Sequence, residues 1–208
     1  MEDVLEVYAE PSDPTRPKVN VAETTQQRIQ ETRQPLPAQP GRPQRYDYEY
    51  ARHGTRNLLL FVEPQAGRRH VQVTAPRTQV DFAHAMQCLV DQGSPAATVI
   101  RVGLDNLNTH KIASLYEAFE PAAARRIARK LELHYTPKHG SWLTMAEVEL
   151  RVLQQQCLDR RLPDEATLTR AIAAWEAQRN TEQATIDWRF SVTDARKKLK
   201  RLYPSLPS

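Results

Sequence analysis

The sequence predicts an α/β fold, a mixed sheet with helices on its faces, and three observations carry that expectation. Two β-prone runs, Asn57-Leu58-Leu59-Leu60-Phe61-Val62 and His70-Val71-Gln72-Val73-Thr74, bracket the turn residues Pro64-Gln65-Ala66-Gly67 and read as a hairpin. A strongly apolar, β-branched run, Thr98-Val99-Ile100-Arg101-Val102-Gly103-Leu104, has the composition of a strand covered on both faces. Around it, segments with apolar residues at helical spacing alternate with shorter strands, the pattern of a sheet with helical layers.

Along the chain, residues 1–17 form an N-terminal extension ahead of Val19-Asn20-Val21-Ala22, a short β-prone stretch that follows Pro14 and Pro17 and reads as the first core strand. Residues 31–56 read as a Pro-rich surface connection, because Pro35, Pro37, Pro40 and Pro43 remove the backbone donors that a regular ladder needs. The hairpin comes next. Val80, Ala83, Met86, Leu89 and Val90 then recur at helical spacing until Gly93-Ser94-Pro95 stops them. After the 98–104 strand, helical sequence over residues 113–119 and 122–131 leads to the strand Leu131-Glu132-Leu133-His134-Tyr135, which Thr136-Pro137 ends. Residues 141–161 read as one long helix with Leu143, Ala146, Leu150, Leu153 and Cys157 as its buried stripe. These segments define a core over 18–161. Beyond it, 162–208 is a helical C-terminal extension, with Leu168, Ile172 and Trp175 inward on a helix that starts at Pro163-Asp164 and a very basic last helix over 194–203.

Two hundred and eight residues suit one good-sized domain with appendages. No apolar run approaches the roughly 20 residues that span a bilayer, and the acidic start Met1-Glu2-Asp3 is unlike a secretory signal, so no membrane partner and a cytoplasmic location are expected. Cys88 and Cys157 are too few and too far apart for a disulfide framework or a cysteine metal site. A formal charge of +4 is compatible with nucleic acid, and its local density says more than its total: Arg196, Lys197, Lys198, Lys200 and Arg201 crowd into one terminal segment.

In sheets of this kind side chains converge on a crevice at strand ends, and Asp105 stands at the end of the strongest strand. A carboxylate there, with a second on a helix lying across the sheet, is a frame for hard, oxygen-loving cations such as Mg²⁺. Nucleases and polymerases use such sites to stabilise the attacking and leaving oxygens of a phosphodiester together, commonly with two ions about 3.5–4 Å apart. Glu147 and Glu149 both offer the second carboxylate. They lie about 200° apart around a helix, on opposite flanks of the buried stripe, and spacing does not choose between them.

Leu104-Asp105-Asn106-Leu107-Asn108-Thr109-His110 resembles the D-N-x-x-x-H strand-end motif of the mariner-like bacterial insertion-sequence transposases, members of the DDE superfamily. The longer run from Tyr135-Thr136-Pro137-Lys138-His139-Gly140-Ser141-Trp142-Leu143 to Glu147 is similar to their Y-T-P-x-H-x-S-W-L-N-x-x-E signature. Arg69-His70-Val71 and the closing Ala195-Arg196-Lys197-Lys198-Leu199-Lys200-Arg201-Leu202-Tyr203 extend the likeness over nearly the whole chain. The resemblance implies an RNase H-like fold, with Asp105 and Glu147 as the second and third catalytic, metal-binding acids, Glu149 outside the triad, and Mg²⁺ or Mn²⁺ as cofactor. It implies DNA, at transposon ends, as partner. Lys138 and His139, in the loop before the acidic helix, and Arg196, Lys197, Lys198, Lys200 and Arg201 are the expected phosphate contacts.

Three departures qualify that picture. Where the family has its first acid in a pattern like C-F-D-E, this chain reads Asn20-Val21-Ala22-Glu23, so Ala22 occupies the first-acid position. Glu23 points to the opposite face of an ordinary strand and would substitute only through a slip or bulge. Thr144 replaces the usual Asn. Finally, family members carry N-terminal helix-turn-helix modules, whereas this chain starts almost at the core, as expected of the second half of a split frame served by a separate helix-turn-helix chain, or of a remnant. A degenerate transposase core, able to form a homodimer, is therefore the expected identity, with a non-catalytic DNA-binding or interaction module of the same fold as the alternative.

Overall fold

The computed structural model describes residues 1–203 except His139, so the phosphate contact expected there lies outside the described residues. Five strands form one mixed sheet in the order β3-β2-β1-β4-β5. β1 (Lys18–Glu31), β2 (Tyr50–Glu63) and β3 (Arg68–Thr74) are an antiparallel meander, and β4 (Ile100–Leu104) and β5 (Leu131–Tyr135) add to β1 in parallel. This is the mixed sheet expected from a hairpin followed by strands that alternate with helices. The β2–β3 turn needs its glycine: Gly67 sits at φ +65°, and a Cβ there would collide with the Gln183 carbonyl of the C-terminal segment.

Strand alternation divides the interior into two layers. Val19, Val21, Leu59, Phe61, Ile100, Val102 and Leu104 face α2 (Gln79–Cys88), α3 (Ala113–Ala118) and α4 (Pro121–Ala128), meeting Phe82, Met86, Leu115 and Ile127. Ala22, Leu58, Leu60 and Val62 face the other way, toward Leu150, Leu153, Leu168 and Trp175 of α5 (Met145–Leu153) and α6 (Glu165–Thr181). The run Leu58 to Val62 is apolar throughout because both of its faces are covered.

Four expectations need correction. The first strand is 14 residues long, since β1 runs past the apolar Val19 and Val21 through the polar Thr24 to Gln30, held by cross-strand pairing with β2 and by the Ile29 amide donating to the Leu162 carbonyl. The supposed connection 31–56 is accordingly shorter, because β2 begins at Tyr50; only Leu36↔Arg45 and Gln39↔Arg42 pair within its outer part. The 141–161 helix is interrupted. A 3-10 turn at Ser141–Leu143 is separated from α5 by Thr144 in extended backbone, and α5 widens into a π turn at Gln154–Leu158, although Leu143, Ala146, Leu150, Leu153 and Cys157 are all buried as expected. The basic terminal helix, α7 (Val192–Lys198), begins before Asp194 because Ser191 and Asp194 form a capping box, and it breaks at Leu199 ahead of a short 3-10 turn, Lys200–Leu202.

The N-terminal extension also carries an unanticipated helix, α1 (Glu2–Ala9), with Val4 and Leu5 buried. It packs on α7 in a third, small apolar cluster of Leu5, Leu143 and Ala195. On the far side of the sheet, α6 closes the outer flank of β3. The Asn180 amide side chain accepts from the Arg69 amide (2.8 Å) and donates to its carbonyl (2.9 Å), and the Glu176 carboxylate accepts from the Val71 amide (2.9 Å).

Candidate active site

The site forms where β1 outruns its parallel neighbour. β1 and β4 pair only over Lys18↔Arg101, Val19↔Val102 and Asn20↔Gly103, and β4 then stops at Leu104 while β1 continues. Continuing that register sets Ala22 across from Asp105, at the lip of a notch in the sheet. Ala22 is only 2% exposed and packs with Leu58, Leu60, Ala146 and Leu150. A methyl group therefore closes the place where the resemblance puts the first acid.

α5 crosses this notch with Glu147 in its first turn. Burial, and then the negative charge of Asp105, push the Glu147 carboxyl above the usual carboxylate range. The charge of Asp105 is thus felt at Glu147, and the carboxylate oxygens of both are the hard donors that Mg²⁺ or Mn²⁺ prefers. The pair thus fits a divalent cation. It fits as a pair only: among the described residues no group of three or more His, Cys, Asp or Glu side chains is arranged to hold a metal.

Glu149, the rival that spacing left open, is engaged elsewhere. It is buried against Arg69 (Nε to Oε1, 2.9 Å) and accepts from Arg179 Nη2 at 3.0 Å. The structure separates the two glutamates by face, as the 200° offset requires: Glu147 toward Asp105, Glu149 toward the β3–α6 arginines.

Asp105 is held by the histidine that closes its strand-end motif. His110, 1% exposed, lies with Nδ1 2.6 Å from Asp105 Oδ1 and Nε2 3.3 Å from Glu23 Oε2, and its ring stacks on Phe82 with centroids 4.7 Å apart. Burial alone would depress its basicity. The contacts to Asp105 and Glu23 outweigh that and raise it. Glu23 is in turn gripped by Arg77 Nε at 2.6 Å and by the Asn57 amide. Burial works to raise its carboxyl, and His110, Asn57 and the Arg77 charge together hold it below the ordinary range. β1 pairs with β2 in unbroken register from Asn20 to Gln27, so neither slip nor bulge turns Glu23 into the notch. Nothing in the sequence motifs pointed to the Glu23–His110 contact, which depends on two distant segments meeting beside Phe82.

The expected phosphate contacts divide. Lys138 is exposed in the loop before α5, and Lys197, Lys198, Lys200 and Arg201 are exposed along and beyond α7. Arg196 is exposed too, but its guanidinium is paired with Glu2 of α1 (Nη2 to Oε2, 2.7 Å), so it ties the two terminal helices together. The small cluster under α7 includes Leu143, which places the basic helix beside the start of α5. Thr144, the departure from the family's Asn, is fully buried, and its hydroxyl has no hydrogen-bond partner among the described residues.

A family model described as DDE superfamily endonuclease matches residues 21–169. Among solved structures, the Mos1 mariner paired-end complex with Mn superposes with a TM-score of 0.59 at 14% identity, covering 87% of this chain and 54% of that one. The Mos1 strand transfer complex gives 0.57 at 12%, covering 87% and 55%, and a pre-cleavage Mos1 transpososome gives 0.55 at 12%, covering 89% and 60%. These likenesses establish the RNase H-like fold, and the chain spans little more than half the length of the transposases it matches. A search of curated proteins finds no match.

Proposed function

The chain belongs to the DDE superfamily of endonucleases, and on that premise we propose that it is the catalytic core of a transposase, built to cut and join DNA at transposon ends but impaired in this copy. What supports the reading is that the β1–β4 register sets Asp105 across from Ala22 and that the charge of Asp105 is felt at Glu147, in the first turn of α5. Asp105 and Glu147 would hold Mg²⁺ or Mn²⁺, which when bound supplies charge neutralisation at the phosphate and activation of the attacking oxygen. The chain's own residues do the rest: His110 orients Asp105, the buried face of α5 sets Glu147, and Lys138 with Lys197, Lys198, Lys200 and Arg201 offers cations to the DNA backbone.

With one carboxylate of three replaced by a methyl group, cation binding is weakened and in-line geometry loosened, and misplacement by about 1 Å costs on the order of 100-fold in rate. A separate helix-turn-helix chain and a second copy of this chain are the partners that the reading calls for, in the bacterial cytoplasm with the nucleoid. The similar Mos1 complexes, one of paired ends with Mn and one of strand transfer, support DNA and a divalent cation as ligands.

The test is a nicking assay with Mn²⁺ or Mg²⁺ on a DNA end, comparing the chain with Ala22→Asp and Ala22→Asp/Asp105→Asn. Activity that appears with Ala22→Asp and vanishes in the double variant is the expected result. Robust cleavage by the unaltered chain would overturn the impairment. Failure of all three, with no saturable Mn²⁺ binding, favours the alternative of a non-catalytic DNA-binding or interaction module, for which the closed Ala22 wall is the supporting observation.

A further inference from the structure

Glu23 neighbours the first-acid position in sequence but faces the other layer of the fold, buried and away from the notch. A buried carboxylate is costly unless it is fully engaged, and Glu23 is engaged on three sides by Asn57 of β2, Arg77 ahead of α2, and His110 in the loop after β4. His110 continues the chain of contacts to Asp105. Its remaining freedom is removed by Phe82 against the ring and by Tyr135, whose hydroxyl donates to the His110 carbonyl at 2.8 Å. Each group in the sequence Arg77–Glu23–His110–Asp105 therefore has its orientation set by the one before it, with Arg77 at the solvent end, Glu23 and His110 buried between, and Asp105 partly exposed at the other end.

We propose that Glu23 is a positioning residue for Asp105, acting through His110: it fixes the imidazole so that Nδ1 occupies Asp105 Oδ1 and leaves Oδ2 directed into the notch as the donor to a cation. The inference rests on the reading of Asp105 as a cation ligand. Residues that orient a ligand from behind commonly contribute about 10–100-fold in metal affinity. The arrangement also separates the two neighbours in β1. Position 22 contributes to the notch directly, and position 23 contributes from behind the sheet, so loss of the acid at 22 leaves the support of Asp105 intact.

Two measurements on the full chain test this. With histidines labelled in ¹⁵N, NMR reports the hydrogen-bonded Nδ1 site of His110, with no metal needed. Glu23→Gln, which keeps the shape of the side chain and removes its charge, should shift or broaden that signal while leaving the His70 and His84 signals in place. An unchanged His110 signal overturns the proposal. The second measurement is calorimetric Mn²⁺ titration in the Ala22→Asp background, where Glu23→Gln should weaken binding about tenfold or more. His110→Gln should weaken it as much, and the two together no further than His110→Gln alone. Additive losses would mean that Glu23 acts independently of His110 and would overturn the proposed route. Absence of Mn²⁺ binding by Ala22→Asp itself sinks the cation reading of Asp105, and the ring signal then still decides whether Glu23 orients it. If Glu23→Gln fails to fold, Arg77→Gln loosens the same carboxylate from the solvent side and should move the same His110 signal; no movement in that variant overturns the proposal.

Discussion

Arg69 of β3 and Glu149 of α5 meet inside the protein, Nε 2.9 Å from Oε1, with 0% and 1% of their side chains exposed. Arg69 also donates to the carbonyls of Gly67, Arg179 and Ala184, so one guanidinium joins the β2–β3 turn, α6 and α5. Because Glu149 follows Glu147 by two residues, this pair fixes the rotation of α5 about its own axis and keeps Glu147 turned to Asp105.

Removing Glu149 should be severe. Glu149→Ala leaves the buried Arg69 without a counter-charge, expected to cost about 3–5 kcal/mol in unfolding free energy, whereas Arg69→Ala leaves Glu149 with Arg179 as its remaining partner and should cost less. Urea denaturation followed by circular dichroism measures it. A loss below about 1 kcal/mol for both variants, the range of an exposed pair, would show that the pair does not hold α5.

Glu147 should behave in the opposite sense. Its carboxyl is raised in the folded state by burial and by Asp105, so the folded protein takes up its proton more readily than the unfolded chain does. No penalty exists below the unfolded pKa, where both states are protonated; the penalty grows as pH rises toward the folded value and is complete above it. Glu147→Gln should therefore stabilise the protein at neutral pH and match the wild type in acid, the behaviour of a site that gives up stability for function. A Glu147→Gln protein less stable than wild type at neutral pH would contradict this.

Ala22→Asp puts a carboxylate among Leu58, Leu60, Ala146 and Leu150. Without metal it should lower stability by about 1–3 kcal/mol, the usual cost of an unsatisfied buried polar group, and by more where the carboxyl is charged. Mn²⁺ at about a hundred times its dissociation constant should return about 2.7 kcal/mol. Thermal melts with and without Mn²⁺ would therefore separate widely for Ala22→Asp and narrowly for the wild type; equal separations would argue that position 22 does not border the cation site.

Lys197, Lys198 and Lys200 are exposed beside the start of α5, whereas Arg196 is tied to Glu2. Replacing the three lysines by glutamine should reduce the slope of log affinity for DNA against log salt by up to about 3, close to 0.9 for each phosphate that is no longer neutralised. Arg196→Gln should leave the slope nearly unchanged and lower stability slightly. A fluorescence anisotropy titration over several salt concentrations distinguishes them.

Much of the fold was legible in the sequence, for physical reasons. β5 reads correctly from Leu131 to Tyr135 because Thr136-Pro137 ends it, and the stripe from Leu143 to Cys157 reads correctly because burial imposes helical spacing even where the backbone departs from a regular helix. The outer half of β1 was not legible. Thr24 to Gln30 has no apolar alternation, and its extended form is maintained by β2 and by the Leu162 carbonyl. Within the site, Asp105 came from its place at a strand end and Glu147 from the family motif. The function of Glu149 as a counter-charge and of Glu23 as a brace for His110 depends on contacts across the fold that no local pattern encodes.

The side chains of Asn180 and Glu176 occupy the outward-facing backbone groups of Arg69 and Val71. A strand from another molecule approaching that flank would find those amides already engaged and a helix in its way. Stacking of copies side by side into an extended ribbon is thus barred along β3, because a ribbon needs both margins of the sheet and this one is closed.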